Sequence, residues 1–376
     1  MSENPPPPKT SIAFVGCGFV ADFYALTLRH HPELHLAGVF DKDPTRLEAF
    51  TKAYGVHAYA SLEELLNDKS ITIVVNLTNP QRHFEVTSAA LLAGKHVYSE
   101  KPLSTDFAQS RQLAEIASEQ GLYLSAAPCT VLSEAAQTLW KALRKEYFGP
   151  VRLVFAEMND GFIKQLRPQT WRSRSGAPWP YENELITGCT LEHAGYWLSW
   201  LVTFFGPALE VSSFATNLIE EPEQSGFAPD FSVACIRFQS GVVARLTCSI
   251  VASRDRQLRI FGDGAEIIVP DAWDFGTRLK FRKRPELEGG ETKYFPIPLL
   301  KPAPVKPEEM SNNIDFCRGI AELGEAISEK RPCRLSADFA VHIDELCQLI
   351  TSSKTGSSTL KLTTTCEPMV PMDWAK

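Results

Sequence analysis

Ser11-Ile12-Ala13-Phe14-Val15-Gly16-Cys17-Gly18-Phe19-Val20-Ala21 is the stretch on which the reading of the fold turns. A short, mostly apolar run enters a glycine-rich turn, and an apolar segment of helical character follows. The turn matches G-x-G-x-x-G/A with Ala21 in the third place. Gly16 permits the tight turn, Gly18 lets backbone approach a pyrophosphate, and Ala21 allows helix and strand to pack closely. The helix start at Phe19 and Val20 offers free N–H groups and positive dipole to an anion. Some two dozen residues on, the next strand-like run ends at Asp41, where a carboxylate can accept both hydroxyls of a ribose. The pair predicts a dinucleotide site. Asp41 repels a 2′-phosphate and so argues for NAD, while the nearby Lys42 and Arg46 keep NADP open.

From this turn outward, residues 10–130 alternate strand-like runs (11–15, 36–41, 71–77, 96–99, 122–126) with helix-like ones (19–30, 44–54, 62–67, 83–93, 106–120). That alternation is the pattern of βαβ units around a parallel sheet. Asp43-Pro44 opens one helix, and Gly94 and Gly121 close two others. A bridging helix is expected at 133–147. Beyond it the texture changes to strands at 151–158, 231–239, 242–251, 258–261 and 266–269, with apolar and polar positions alternating and a hairpin turn at Gly262-Asp263-Gly264. The fold class is therefore an α/β N-terminal domain followed by an α+β C-terminal domain, residues 131–376, on an open and mostly antiparallel sheet. Late helices are expected at 308–329 and 337–350, free to pack on either domain, and 352–365 reads as a loop or peripheral strand.

Length and composition narrow the function. The chain has 376 residues, 44% hydrophobic and 22% charged, with a net charge of −7. This is globular composition, enough for two domains, and the negative balance lowers the expectation of nucleic acid or membrane partners. No apolar run reaches membrane-spanning length. Nine scattered cysteines, with no CxxC pair and no Cys/His cluster at metal-ligand spacing, predict reduced thiols, no metal and a cytoplasmic setting. Residues 1–9, with four prolines, read as a flexible lead-in lacking the features of a secretory signal.

Two further turns carry candidate chemistry. Ser99-Glu100-Lys101-Pro102 closes a strand, and ligands of open α/β sheets sit at such carboxyl ends. Thr78, Asn79 and His83 leave the neighbouring strand at the same edge. A lone His83 is more often a capping or packing residue than a ligand contact, and a lone Glu-Lys-Pro more often a solvated loop.

Taken together, Gly16-Cys17-Gly18, Asp41, Thr78-Asn79-Pro80-x-x-His83 and Glu100-Lys101-Pro102, in this order, resemble the glucose-fructose oxidoreductase / inositol dehydrogenase / rhizopine catabolism (Gfo/Idh/MocA) family. Ile260-Phe-Gly-Asp-Gly-Ala-Glu-Ile267 and Arg331-Pro-Cys-Arg-Leu-Ser-Ala337 extend the resemblance over almost the whole chain. It implies a Rossmann domain, an open-sheet domain forming a homodimer or homotetramer, and a sugar, inositol or related polyol oxidised or reduced between them. Cofactor contacts are then expected from Gly16, Gly18, Phe19, Val20, Asp41, Thr78, Asn79, His83, Glu100 and Lys101. The family's Asp-x-Gly-x-His helix is replaced here by Glu192, Ala194 and Tyr196. The proton carrier is therefore Tyr196 by position or His193 by chemistry, with Lys101 and Glu192 beside it and Lys101 able to lower a tyrosine pKa.

Residues 159–187 form a long irregular segment with Trp171, Arg172, Arg174, Trp179 and Tyr181. Aromatic faces there can stack on a sugar ring and arginine can bind hydroxyls, or the segment is a lid that only packs. Substrate contacts are expected from Lys101, Trp171, Arg172, Trp179, Glu192 and Tyr196. The basic run Lys280-Phe-Arg-Lys-Arg284 reads as a solvated strand and turn. The expected activity is NAD(P)-dependent hydride transfer to or from a hydroxyl or keto carbon; the alternative is a non-catalytic dinucleotide sensor or scaffold of the same fold.

Overall fold

The five expected parallel strands pair as one sheet in the computed structural model, which describes residues 10–219, 226–284, 293–352 and 359–376. The lead-in expected at 1–9 lies outside the described residues. The strands are β1 (Thr10–Val15), β2 (Leu34–Phe40), β3 (Ile73–Asn76), β4 (His96–Ser99) and β5 (Leu124–Ala126), in the order β2-β1-β3-β4-β5. Helices α1 (Phe19–Thr27), α2 (Pro44–Tyr54), α3 (Leu62–Asn67), α4 (His83–Leu92) and α5 (Phe107–Glu119) connect them. Local signals set these ends. The Asp43 side chain accepts from the Thr45 and Arg46 N–H groups at 2.9 and 3.3 Å, and α2 stops at Gly55 with φ +66°. Strand order reverses between β1 and β3, so their carboxyl ends open a crevice there, flanked by the Gly16–Gly18 turn and the turn at Thr78.

The second half contributes α6 (Glu134–Arg144), β6 (Val151–Asn159), α7 (Ile163–Leu166), α8 (Tyr181–Thr187), α9 (Cys189–Phe205), β7 (Ala208–Thr216), β8 (Phe231–Phe238), β9 (Val243–Ser249), β10 (Leu258–Gly262), β11 (Ala265–Val269), β12 (Lys280–Lys283), β13 (Phe295–Pro296), α10 (Arg318–Glu329), α11 (Ala337–Ser352) and β14 (Leu360–Lys361). Among the described residues its nine strands form one open sheet, β13-β12-β11-β10-β6-β9-β8-β7-β14, antiparallel except where β6 runs parallel to β9. Val154, Ala156 and Met158 of β6 face inward and are fully buried, together with Trp197 and Trp200 of α9. No described helix is long and apolar enough to cross a membrane.

Two departures from the sequence reading have clear causes. The late helix begins at Arg318, not near 308, because Asn313 is drawn into backbone pairing with Trp273 and Phe275 at 3.0 and 3.1 Å. Strand β7 has little alternation, with Ser212 and Ser213 side by side, and is recruited by its long ladder with β8.

The late helices settle where they pack. Helix α10 lies so close to β4 that a Cβ on Gly319 would stand 2.4 Å from the Tyr98 hydroxyl. Asp315 just before it binds His31 at 2.9 Å. Helix α11 places Asp344, 4% exposed, against the first domain, where it accepts from the Ser104 N–H (3.2 Å) and the Ser110 hydroxyl (2.7 Å). Burial pushes the Asp344 carboxyl up to about 7. A carboxyl raised on folding keeps its proton while the unfolded chain loses it, so this group costs stability as pH rises from the ordinary aspartate range through 7. Asp344→Asn should therefore raise the urea midpoint above pH 7, with the advantage fading toward pH 4. Equal midpoints at both ends of that range would contradict the assignment.

Candidate active site

The phosphate turn has the form a dinucleotide requires. Gly16 sits at φ +103°, and a Cβ there would stand 2.6 Å from the Leu77 carbonyl, whereas nothing lies within 4 Å of one on Gly18. No side chain caps α1, so the Phe19 and Val20 N–H groups of its first turn remain for a ligand. The Asp41 carboxylate, 8% exposed, accepts from Cys17 N–H at 2.8 Å and pairs with Arg46 at 2.9 Å. It thus stands at the end of the second strand as expected, with a guanidinium already on it.

Beyond the turn a cavity of ≈ 700 Å³ opens between the two sheets. Gly18, Phe19, Val20, Thr78, Asn79 and His83 line one side, with Glu100 and Lys101 beside them, and Trp171, Arg172, Trp179, Glu192, His193 and Tyr196 line the other. Gly16 and Asp41 do not line it, and the other expected cofactor residues meet the expected substrate residues in this one cleft. The side chains of His83 and Glu100 are already engaged within the protein. Both His83 ring nitrogens are occupied by backbone carbonyls, Pro102 at 2.6 Å and Thr78 at 2.9 Å. Glu100 accepts from the Tyr24 hydroxyl at 2.6 Å and from the Lys101 N–H at 3.1 Å. These two side chains hold the turns that carry Thr78 and Lys101.

The Lys101 ammonium is paired with the Glu192 carboxylate of α9, which is 2% exposed. Burial opposes the charge on Lys101, yet Glu192 and the further negative groups hold its pKa well above the usual value. The ammonium is thus held charged and in place by Glu192. Tyr196 lies on the same helix face as Glu192 and its ring packs on Trp273 at 5.3 Å. Its hydroxyl has no hydrogen-bond partner among the described residues. The expected lowering of its pKa by Lys101 is overridden, because burial outweighs the ammonium and raises it above the ordinary tyrosine value.

His193 is turned elsewhere on α9. Its Nε2 lies 3.1 Å from Asp160, and its Nδ1 is buried without a partner. Burial lowers its pKa despite Asp160, which favours the neutral ring, and Nδ1 stays bare. Trp273 is wedged against both candidates, 5.7 Å from the His193 ring, and is covered by the Arg256 guanidinium at 4.0 Å. Arg256 in turn pairs with Asp160 and Asp271.

Asp160, Arg256, Trp273 and Glu184 come from loops and from a short helix with no local motif, and sequence reasoning missed them. It also missed Asp22. This fully buried carboxylate of α1 accepts from the Ser175 N–H and hydroxyl, both at 2.8 Å, and from Tyr54 at 2.6 Å. Ser175 belongs to the segment that carries Trp171 and Trp179, whose rings meet at 5.1 Å. The segment is therefore latched to the nucleotide-binding domain.

Residues 10–127 match the oxidoreductase family with NAD-binding Rossmann fold, and residues 136–268 match the GFO/IDH/MocA C-terminal domain. The chain belongs to the GFO/IDH/MocA oxidoreductase family. It is an NAD(P)-dependent oxidoreductase of that family. Trans-1,2-dihydrobenzene-1,2-diol dehydrogenase of Bos taurus is 25% identical over 304 residues, 80% of this chain and 83% of that protein. Among solved structures, an NAD binding oxidoreductase from Klebsiella pneumoniae shares the fold at TM-score 0.78 and 18% identity, covering 95% of this chain and 100% of that one. The aldose-aldose oxidoreductase from Caulobacter crescentus, complexed with glycerol, does so at 0.75 and 19%, over 94% and 100%.

For this GFO/IDH/MocA member, fluorescence titration should show NADH binding more tightly than NADPH. Asp41→Ala removes the expected ribose acceptor and leaves Arg46 paired with Asp43 alone, so NADH affinity should fall ~10-fold, the scale of a charge-assisted hydrogen bond, while NADPH affinity rises. A reversed preference in the unmutated protein would refute this. Ser175→Ala should speed NADH release in stopped-flow displacement if the latch closes over the bound cofactor; an unchanged rate would place the latch away from it.

Proposed function

We propose that this oxidoreductase transfers hydride between nicotinamide and the hydroxyl or keto carbon of a sugar, inositol or related polyol. The observation that carries the reading is the placement of the Lys101 ammonium and the unpartnered Tyr196 hydroxyl in one cleft beside the dinucleotide turn. Bound nicotinamide supplies or accepts the hydride. Lys101 donates a hydrogen bond to the reacting oxygen and stabilises negative charge on it. Tyr196 exchanges the proton with that oxygen. Glu192 keeps Lys101 charged and aimed, and Trp171, Trp179 and Arg172 receive the ring and its hydroxyls. Similarity to a diol dehydrogenase and to an aldose oxidoreductase supports a substrate rich in hydroxyls.

A second reading makes His193 the proton carrier, favoured by its bare, buried Nδ1 and its Asp160 partner. The pH dependence separates the two. With a raised pKa, the Tyr196 phenol stays protonated through neutrality, so ketone reduction should be flat there and alcohol oxidation should climb steadily into the alkaline range. A neutral His193 base would give oxidation that is already level at pH 7.

Half-exposed Leu153, Phe155, Val243 and Phe261 share the outer face of the open sheet, which supports self-association into a dimer or tetramer. Light scattering that gives a 41.8 kDa particle at micromolar concentration would overturn this. Nine free cysteines support a reducing, cytoplasmic location. Arg282 and Arg284 of the basic run are engaged by Glu266 and the Gly262 carbonyl, which supports a small-molecule rather than nucleic-acid partner.

A polyol and keto-sugar screen with both cofactors supplies the substrate. Lys101→Met and Tyr196→Phe should then each lower turnover by ~10² or more with NADH affinity nearly intact, and His193→Asn should matter less. Full activity of Tyr196→Phe with loss in His193→Asn would transfer the proton to the histidine. NADH binding without turnover of any polyol would leave a dinucleotide sensor.

A further inference from the structure

Glu192 sets one carboxylate oxygen on Lys101 and leaves the other, Oε1, buried without a donor among ionised neighbours. An acceptor orphaned in a dry site is costly unless something donates to it. Within hydrogen-bonding reach of Glu192 lies a second carboxyl, Glu184 of α8, which also lines the cleft. Two carboxylates at hydrogen-bonding range cannot both be ionised, so one proton must lie between them.

We propose that the Glu184 carboxylic acid donates a hydrogen bond to Glu192 Oε1 and thereby serves as a positioning residue that holds Glu192 on Lys101. Burial and the Glu192 charge both raise the Glu184 pKa well above the carboxylate range. Burial works the same way on Glu192, but the Lys101 ammonium and the bond from Glu184 hold its carboxyl below that range. The charged groups facing Glu184 are Glu192 from α9 and Glu100 and Lys101 from the turn after β4. On the turn after β3, which packs against α8, Arg82 pairs outward with Glu85 and Gln81 bonds Thr187 at 3.1 Å. Lys101 is thus the cation that these carboxyls share. If Glu184 loses its proton, two carboxylates compete for one ammonium and Lys101 is drawn off the reacting oxygen.

The inference rests on the role of Lys101 proposed above, and two measurements separate it from that role. Difference infrared spectra of wild type against Glu184→Gln, without substrate or cofactor, should show at pH 7 a protonated-carboxyl C=O stretch that is absent from the variant and disappears at alkaline pH. In ketone reduction, Glu184→Leu should lower kcat ~10-fold, the scale of a hydrogen bond to a charged group, with NADH affinity unchanged. Glu184→Gln keeps a donor that cannot ionise, so it should restore most of that loss and remove the alkaline decline of the wild type. Absence of the infrared band, or matching pH profiles in wild type and Glu184→Gln, would overturn the proposal, and this comparison stands even if the leucine variant fails to fold. The band present with no turnover in any variant would sink the proposed reaction and leave the Glu184–Glu192 bond in place.

Discussion

The buried ion pair between Lys101 and Glu192 is the constraint on which the cleft depends. Each half of the chain supplies one charge. A buried ammonium stripped of its carboxylate costs ~3–5 kcal/mol, so the two sheets are held at the separation this pair allows. The surrounding polar groups make sense as its supports. Glu100 ties the Lys101 turn to Tyr24 of α1, His83 ties the same turn to the loop after β3, and Glu184 reaches Glu192 from α8. Few of these contacts touch a reacting atom, yet together they decide where the Lys101 nitrogen points.

The walls of the cleft differ in how firmly they are built. On one side Trp273 is clamped between the His193 and Tyr196 rings and the Arg256 guanidinium, and Arg256 is itself held by Asp160 and Asp271. The Trp273 N–H and His193 Nδ1 in this wall have no partner among the described residues, so its firmness comes from ring packing and the Arg256 ion pairs. The segment with Trp171 and Trp179 is attached mainly by Ser175 to the buried Asp22 and by the exposed Arg174–Glu309 pair, 2.9 Å long. Exposed pairs contribute little, so the Asp22 contact carries the attachment. A rigid floor under a lightly fastened cover suits a site that must admit both a dinucleotide and a second substrate.

The sequence by itself determined the parallel sheet, the glycine turn, Asp41, the Glu-Lys-Pro turn and the placement of Glu192 and Tyr196 on one helix face. All of these rest on local physics: strand and helix periods, φ requirements at Gly16, and side-chain spacing along a single element. Strand β7, the late start of α10 and the partners of the site residues were decided only by tertiary structure. Ser212 and Ser213 pair in a sheet because β8 offers a ladder, and Asn313 leaves a helix because Trp273 and Phe275 offer backbone partners. Glu184, Asp160, Trp273 and Asp22 are ordinary residues in sequence, and their roles exist only because segments far apart in the chain bring them to Glu192, His193 and Ser175. The raised pKa of Tyr196 belongs there too: nearness of an ammonium can be guessed from a motif, but the burial that outweighs it is a property of the folded cleft.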